Sequence, residues 1–588
     1  MVFGERSRPG GTLVAHRPGQ VLPVLRAVDA AAARGWWAVG FLAYEASGGL
    51  DPTLVTRPSA PGEAFDKLPL AWFALFGRPK SARPPEPAAV LPGCYTVTPW
   101  VADTTADDYT RKLEAVRSQI AEGNTYQCNL TVRLRSRAEG DLLGLYRDLA
   151  LAQDGAYNAY LDTGRFVVAS ASPELFFDWT DDQLTARPMK GTAGRGRWLE
   201  EDDAKAEVLR GSPKERAENL MIVDLLRNDL GKLAEWGSVE VPALFELERY
   251  KTLWQLTSSV TARPRPRTTL IDVFRALFPC GSVTGAPKRR TMALIADLEE
   301  SRRGVYCGAI GMVAPPGASF RARFNVAIRT VVVDRTTGEA VYGTGGGITW
   351  DSAAAPEHAE VRLKAAILDA PPSGVSLVET MGFWPREGLR NKERHLARLS
   401  ASAAYFGFRL DMDDVRRSLG EALTDVGVPR RVRLVVSPSG LPTVQLSPMP
   451  PRPEHVVTVA VDRQPVDPDE VWLYHKTTRR STYELRAARN PHADDVILVN
   501  KRGEPTETTV ANLAVRLDGK WWTPPVETGC LPGIERARLV EQGRLVERTI
   551  TVAELYVADA VALVSSLRGW RAATLHHEPH RAASRDLS

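Results

Sequence analysis

Lys190 lies in Arg187-Pro188-Met189-Lys190-Gly191-Thr192, between a proline-restricted turn and a glycine, with Gly194 and Gly196 close behind. A rigid glycine-rich loop lets backbone approach a ligand, a setting that suits an amine acting as nucleophile or charge anchor. Carboxylates are spaced along the chain on either side of it. Glu174 follows the apolar run FVVAS in Ser172-Pro173-Glu174, at what reads as a strand end, where site residues are often presented. Glu218 stands near the start of the helix-patterned RAENLMIVDLLRNDLG, in which Leu220, Val223 and Leu226 mark an apolar face. A further helix over 356–368 offers Glu357 and Glu360, with Lys364 one turn after Glu360 on the same face. The glycines of Gly343-Thr344-Gly345-Gly346-Gly347-Ile348-Thr349 expose N–H groups that suit a carboxylate held in a nest, and they describe a flexible hairpin equally well. Singly, each feature also has an ordinary reading: a solvated lysine, a helix-surface glutamate, a salt-bridge spacing.

A second set lies toward the C-terminus. Lys476 occurs in YHKTTRRSTYELRAAR, Glu507 in DDVILVNKRGEPTETTVANLAV, and Gly533-Ile534 in LPGIERARL, with RHLARLSASAAYFG upstream. Here too a loop lysine, a strand-end carboxylate and a plain helix start are the alternatives.

The elements that must carry these residues are mixed. Between the proline-rich stretch 78–92 and another at 369–374, β-like runs at 166–169 and 326–333 alternate with helical patterns at 214–235 and 286–300. The second stretch reads as a domain boundary after a helix ending near Leu368, and 588 residues are too many for one domain. Lys+Arg of 75 against Asp+Glu of 71 leaves a net charge of +4, which over this length argues against nucleic-acid or membrane partners. Five widely spaced cysteines without a Cys-x-x-Cys pair suggest neither disulfides nor a zinc site. With no apolar run long enough for a signal peptide or a membrane span, a cytoplasmic protein is expected.

Taken in order, SPE, RPMKGT, ENLMIVDLLRNDLG, FPCGSVTGAPKRR, YCGAIG, FNVAIRT, GTGGGITWDS and a final EVRLKA helix closely resemble the chorismate-utilising enzymes over residues 100–370. The resemblance implies an α+β multidomain chain whose first part is a layered α/β sandwich with the site between two sheets, residues 1–100 being a shortened, divergent N-terminal part and 101–370 the chorismate-binding domain. It implies Mg²⁺ on Glu218 and Glu360, chorismate gripped by Thr284, Tyr306, Arg329, Gly345 and Lys364, and Glu174 as the general acid for the departing 4-hydroxyl. Anthranilate synthases carry alanine where this chain has Lys190, whereas aminodeoxychorismate synthases resembling it carry lysine. The resemblance therefore implies amination at C4 through a covalent Lys190 adduct. Gln255 departs from the histidine of many relatives and leaves the nearby proton transfers open. The chain contains no Cys-His-Glu glutaminase arrangement, so a separate glutamine amidotransferase is expected to supply ammonia, and Tyr126-Gln127-Cys128-Asn129-Leu130-Thr131 resembles a segment typical of the large subunit of aminodeoxychorismate synthases.

Beyond a linker at 371–376, residues 377–588 resemble the branched-chain-type, fold type IV pyridoxal-phosphate enzymes, a two-subdomain fold. The resemblance implies pyridoxal 5'-phosphate held by Lys476 through its aldehyde, Glu507 at the pyridine nitrogen, and Arg398, Thr508, Thr509, Gly533 and Ile534 at the phosphate. Glu535 replaces a usual threonine there and is expected to point away from the phosphate. Aminotransferases and aminodeoxychorismate lyases share these parts, and a non-catalytic scaffold is the alternative of a different class. Fusion to a maker of aminodeoxychorismate favours the lyase, and hence formation of 4-aminobenzoate for folate or a secondary metabolite. Fold type IV enzymes are often dimers, which points to a homodimer through this part.

Overall fold

The computed structural model describes residues 1, 9–58, 62–80, 95–369, 374–451 and 455–576. Most of the first proline-rich stretch and the linker residues 371–373 lie outside the described residues. The chain divides into two compact units, one of Met1–Arg195 with Lys205–Ser373, the other of Gly196–Ala204 with Gly374–Ser588.

The first unit is built on two large sheets of ten and eight strands. Phe41 and Ile310 of the ten-stranded sheet share one buried cluster with Phe166, Val168 and Val332 of the eight-stranded sheet, so the two sheets face each other. Helices Pro18–Ala33, Pro213–Gly231 and Leu270–Leu277 bury the outer face of the larger sheet, and Leu142–Gln153 covers the outer face of the smaller. This is the expected layered sandwich. Strands Trp37–Leu42 and Ala71–Phe76 from the first hundred residues are integral to the ten-stranded sheet.

Two helices bring carboxylates to one cleft. Pro213–Gly231 starts at Ser212, whose hydroxyl accepts the Glu215 N–H, and proline at its first position supplies a preset φ. Ile222, Val223, Leu226 and Leu230 form its buried stripe, which leaves Glu215 and Glu218, three apart, on another face in the first two turns. Leu220 is 45% exposed, so it does not belong to the apolar face as the sequence pattern suggested. Ala354–Ala365 places Glu357, Glu360 and Lys364 at helical spacing.

The run Gly343–Gly347 is neither a nest nor a hairpin. It forms the middle of strand Glu339–Ile348, paired over ten residues with Gln127–Gly140. Its glycines serve close approach: a Cβ on Gly343 would stand 2.2 Å from the Tyr306 ring, and one on Gly345 would stand 2.4 Å from the Leu130 carbonyl. Lys190 likewise sits on a strand, Met189–Gly194, paired with Leu253–Ala262, where a loop was expected. The register breaks beside Gly191, whose φ of +94° only glycine adopts freely.

The second unit has two sheets. Helices Lys392–Phe406 and Met412–Leu423 cover one face of a four-stranded antiparallel sheet through Leu396, Leu399, Val415 and Leu419. An eight-stranded mixed sheet buries a second core around Val459, Ile497, Leu513 and Leu563. Two subdomains are what the resemblance of residues 377–588 implied. Residues Gly196–Ala204 pack with this unit: Tyr405 Oη donates to the Gly196 carbonyl at 2.7 Å, and Trp198 lies 5.2 Å from the Tyr474 ring.

Candidate active sites

In the first unit one cleft gathers most of the residues singled out in the sequence. Glu174, Lys190, Glu218, Tyr306, Arg329, Gly345, Glu360 and Lys364 all line it. Thr284 does not; its hydroxyl is fully buried and donates to the Cys280 carbonyl at 2.9 Å.

Glu174 is the buried acid of the cleft. Loss of hydration pushes its carboxyl up to about 7, and the Ser282 hydroxyl bonded to Oε1 at 2.7 Å and the charge of Lys190 only partly offset that. Such a group exchanges a proton near neutrality. Across the cleft Arg329 is buried, its Nη2 donates to Gln255 Oε1 at 3.1 Å, and its Nη1 meets no partner among the described residues. A buried guanidinium with donors to spare is suited to an incoming carboxylate. Gln255 therefore keeps a hydrogen bond at the position where the histidine was missed, and its Nε2 donates onward to Thr192 Oγ1 at 3.2 Å.

Four carboxylates close one end. Glu215 is pushed up to about 7 by burial and then by the negative charges of Glu218 and Glu360, and Glu357 is pushed up by burial as well. Lys214 is the nearest cation to Glu218 and Glu357, at 3.9 and 4.0 Å, while Lys364 pairs with Glu360 at 2.6 Å and donates to the Gly345 carbonyl at 2.9 Å. Glu215, Ser282 and Lys214 had not been singled out in the sequence; the readable signal for Glu215 was its position three residues before Glu218.

In the second unit Lys476 follows a short turn, and its carbonyl accepts the Val378 N–H at 2.8 Å. Burial and then the Arg398 charge bring its amine down to about 8. Glu507 is buried and pushed up to about 7, with the Tyr483 hydroxyl on Oε1 at 2.9 Å. Arg398 is forked onto Glu379 at 2.9 and 2.7 Å, and its Nη1 donates to the Pro532 carbonyl at 3.0 Å, just before the helix Ile534–Glu541. That helix starts at Gly533 without a side-chain cap, which leaves its first N–H groups available. Thr508 and Thr509 direct their hydroxyls to Asp495, at 2.8 and 2.6 Å. Glu535 is buried between Arg538 at 2.6 Å and Arg390 at 3.4 Å, so its charge is met by guanidinium groups. Sequence reading passed over Ser566, which bonds His395 Nε2 at 2.7 Å, and the His395 Nδ1 contact to Glu379 at 2.6 Å.

Residues 20–369 match the family model for the chorismate binding enzyme. The chain belongs to that family. Residues 376–575 match the model for amino-transferase class IV. The aminodeoxychorismate synthase of Streptomyces griseus is 40% identical over 302 residues, 51% of this chain and 41% of that protein. Aminodeoxychorismate synthase component 1 of Klebsiella aerogenes is 38% identical over 273 residues, 46% of this chain and 59% of that one. The crystal structure of anthranilate synthase component I from Streptococcus pneumoniae aligns with a TM-score of 0.50 at 26% identity, covering 59% of this chain and 85% of that one. The chain thus spans about half the length of the curated relatives it matches.

Both groups expected of such a chain fit the residues present. Among the described residues no three His, Cys, Asp or Glu side chains converge as a closed metal cage. Two carboxylates with others behind them are instead what Mg²⁺ takes when substrate oxygens and water complete its shell, and their mutual repulsion favours a cation. The class IV match of residues 376–575 points to pyridoxal phosphate there, and a lysine with a lowered pKa, a buried carboxylate that interacts with its charge and an uncapped helix start suit that cofactor. Among the described residues no helix is long and apolar enough to cross a membrane.

Proposed function

We propose that the chain makes 4-aminobenzoate at two sites: residues 1–370 aminate chorismate at C4 with ammonia from a separate glutamine amidotransferase, and residues 377–588 eliminate pyruvate from the product. The observation that carries the reading is the Lys190 amine in one cleft with Glu174, a buried acid poised near neutrality.

Arg329, through its free Nη1, and Lys364 hold the substrate carboxylates. The neutral Lys190 amine attacks C2 and forms a C–N bond. Both double bonds of the ring diene shift by one position, the C4–O bond breaks, and the hydroxyl leaves as water with the proton of Glu174. Ammonia then attacks C4, both double bonds return, the C2–N bond breaks to release the neutral Lys190 amine, and the new C4 ammonium gives one proton back to the Glu174 carboxylate. Glu218 and Glu360 would hold Mg²⁺ directly, with Glu215 and Glu357 behind them, and the ion supplies positive charge beside the substrate's oxygens.

In the second unit Lys476 and Glu507 would hold pyridoxal phosphate, with Arg398, His395, Ser566 and the start of helix Ile534–Glu541 around its phosphate. When bound, it supplies an electron sink for a carbanion at the ring carbon bearing the amine. Lys476 Nζ takes the proton from that carbon. The enolpyruvyl C–O bond breaks, pyruvate leaves after gaining a proton, and the ring becomes aromatic.

Product analysis tests the reading. Incubation with chorismate, ammonium, Mg²⁺ and pyridoxal phosphate is expected to yield 4-aminobenzoate and pyruvate in equal amounts. Anthranilate as the product would overturn the first assignment, and accumulation of the amino-chorismate without pyruvate would overturn the second.

A further inference from the structure

Gln127 opens strand Gln127–Gly140 with a fully buried side chain, and neither its amide nitrogen nor its amide oxygen has a hydrogen-bond partner among the described residues. A buried amide with both ends unpaired is rare, because its lost contacts with water are not replaced. Its location gives the reason. The point where a Cβ on Gly347 would stand is 2.2 Å from Lys190 Nζ and 2.4 Å from Gln127 Nε2, so the two nitrogens are neighbours over one bare α-carbon.

The backbone of Gln127 cannot draw the amide away. Its carbonyl accepts the Thr125 hydroxyl at 2.9 Å, Gln127 pairs with Ala286, and its carbonyl lies 2.1 Å from where a Cβ on Gly285 would be. What remains free is rotation of the amide itself. Two facing nitrogens satisfy neither group, and a half-turn about the last side-chain bond exchanges oxygen for nitrogen within the same envelope.

We propose that Gln127 is the positioning residue of Lys190: its amide oxygen accepts one N–H of the lysine amine and so fixes the direction of the nitrogen lone pair, in the space that the absent side chain of Gly347 leaves open. The consequence for catalysis rests on the reading that Lys190 attacks chorismate. Gln127 itself touches no substrate and transfers no proton.

Two measurements on Gln127→Met and Gln127→Glu separate the contact from that reading. The first is competitive acetylation of Lys190 in the resting full-length protein, followed by peptide mass spectrometry across pH. Gln127→Glu replaces the amide by a carboxylate beside the amine and is expected to move the onset of Lys190 reactivity upward by about one pH unit or more. Gln127→Met, similar in volume, is expected to change the labelling rate. The second is the rate of adduct formation on Lys190 with chorismate and no ammonia, expected to fall roughly 10- to 100-fold in Gln127→Met while chorismate affinity holds. Wild-type labelling profiles in both variants would overturn the Gln127 contact. Absence of an adduct in the wild-type protein would instead overturn the nucleophile reading and leave the acetylation result to decide the contact.

Discussion

Ser282 donates its hydroxyl to Glu174 across 2.7 Å, yet the carboxyl is pushed up to about 7 because burial outweighs that bond and the nearby Lys190 charge. A raised pKa means the protonated form persists to neutral pH and is lost as pH rises through about 7. A general acid must begin protonated, so with Glu174 in that role amination limited by loss of the 4-hydroxyl falls above that value, about tenfold per pH unit. Ser282→Ala removes a bond that favours the charged form, so the falling limb moves to higher pH. The pH profile of single-turnover amination checks both statements.

Lys190→Ala is expected to bind chorismate with little change while amination drops by roughly three orders of magnitude, the scale of losing a covalent nucleophile. Calorimetry measures the first and product formation with ammonium the second. Unchanged turnover would rule out the covalent route.

The carboxylate cluster predicts a divalent-ion dependence confined to one activity. Chelation is expected to stop amination and leave pyruvate elimination from supplied amino-chorismate intact. By Mg²⁺ titration calorimetry, Glu218→Gln and Glu360→Gln should abolish measurable binding, and Glu215→Gln should weaken it by roughly 10- to 100-fold, as for groups that orient direct ligands.

Most of the residues that line the first cleft could be named from the sequence because they lie in short runs whose order resembles one family. The helix Pro213–Gly231 and the spacing of Glu357, Glu360 and Lys364 follow from a 3.6-residue period. The glycine run 343–347 misled because glycine signals loops in general, whereas here the pairing of strand Glu339–Ile348 along Gln127–Gly140 demands it, with Tyr306 and Lys190 pressed on the bare backbone. Local pattern does not encode such long-range approach. Gln127, Ser282 and Ser566 escaped for the same reason: each owes its place to a partner at least 60 residues away. The packing of Gly196–Ala204 with the C-terminal unit carries no signal in composition at all.

Lys476 gives a prediction of opposite sign to Glu174. Its amine is lowered to about 8, so the neutral form that captures an aldehyde grows as pH rises through that value, rather than near the usual lysine value of about 10.4. The rate at which the protein gains a visible chromophore on mixing with pyridoxal phosphate is expected to rise up to about pH 8 and then level. Lys476→Ala should stay colourless, keep amination and accumulate the amino-chorismate.

Glu379 makes the sharpest stability prediction. It is 1% exposed and accepts His395 Nδ1 at 2.6 Å and the Arg398 fork at 2.9 and 2.7 Å, and despite burial these partners, Arg398 foremost, hold it down at about 2. Glu379→Ala leaves a guanidinium facing a cavity without its counter-charge, a loss of about 3–5 kcal/mol for a broken buried pair. Glu379→Gln keeps the volume and one acceptor and should lose less. Denaturant unfolding of the two variants should therefore rank wild type above Gln above Ala, with the deficit in the C-terminal transition. Because its pKa is depressed, the stability Glu379 contributes in the wild type is present above the usual carboxylate range and is lost as pH falls toward about 2. In Glu379→Ala that acid-dependent part should be absent, so the gap between variant and wild type narrows with acidification; a gap independent of pH would refute the ion pair as its source.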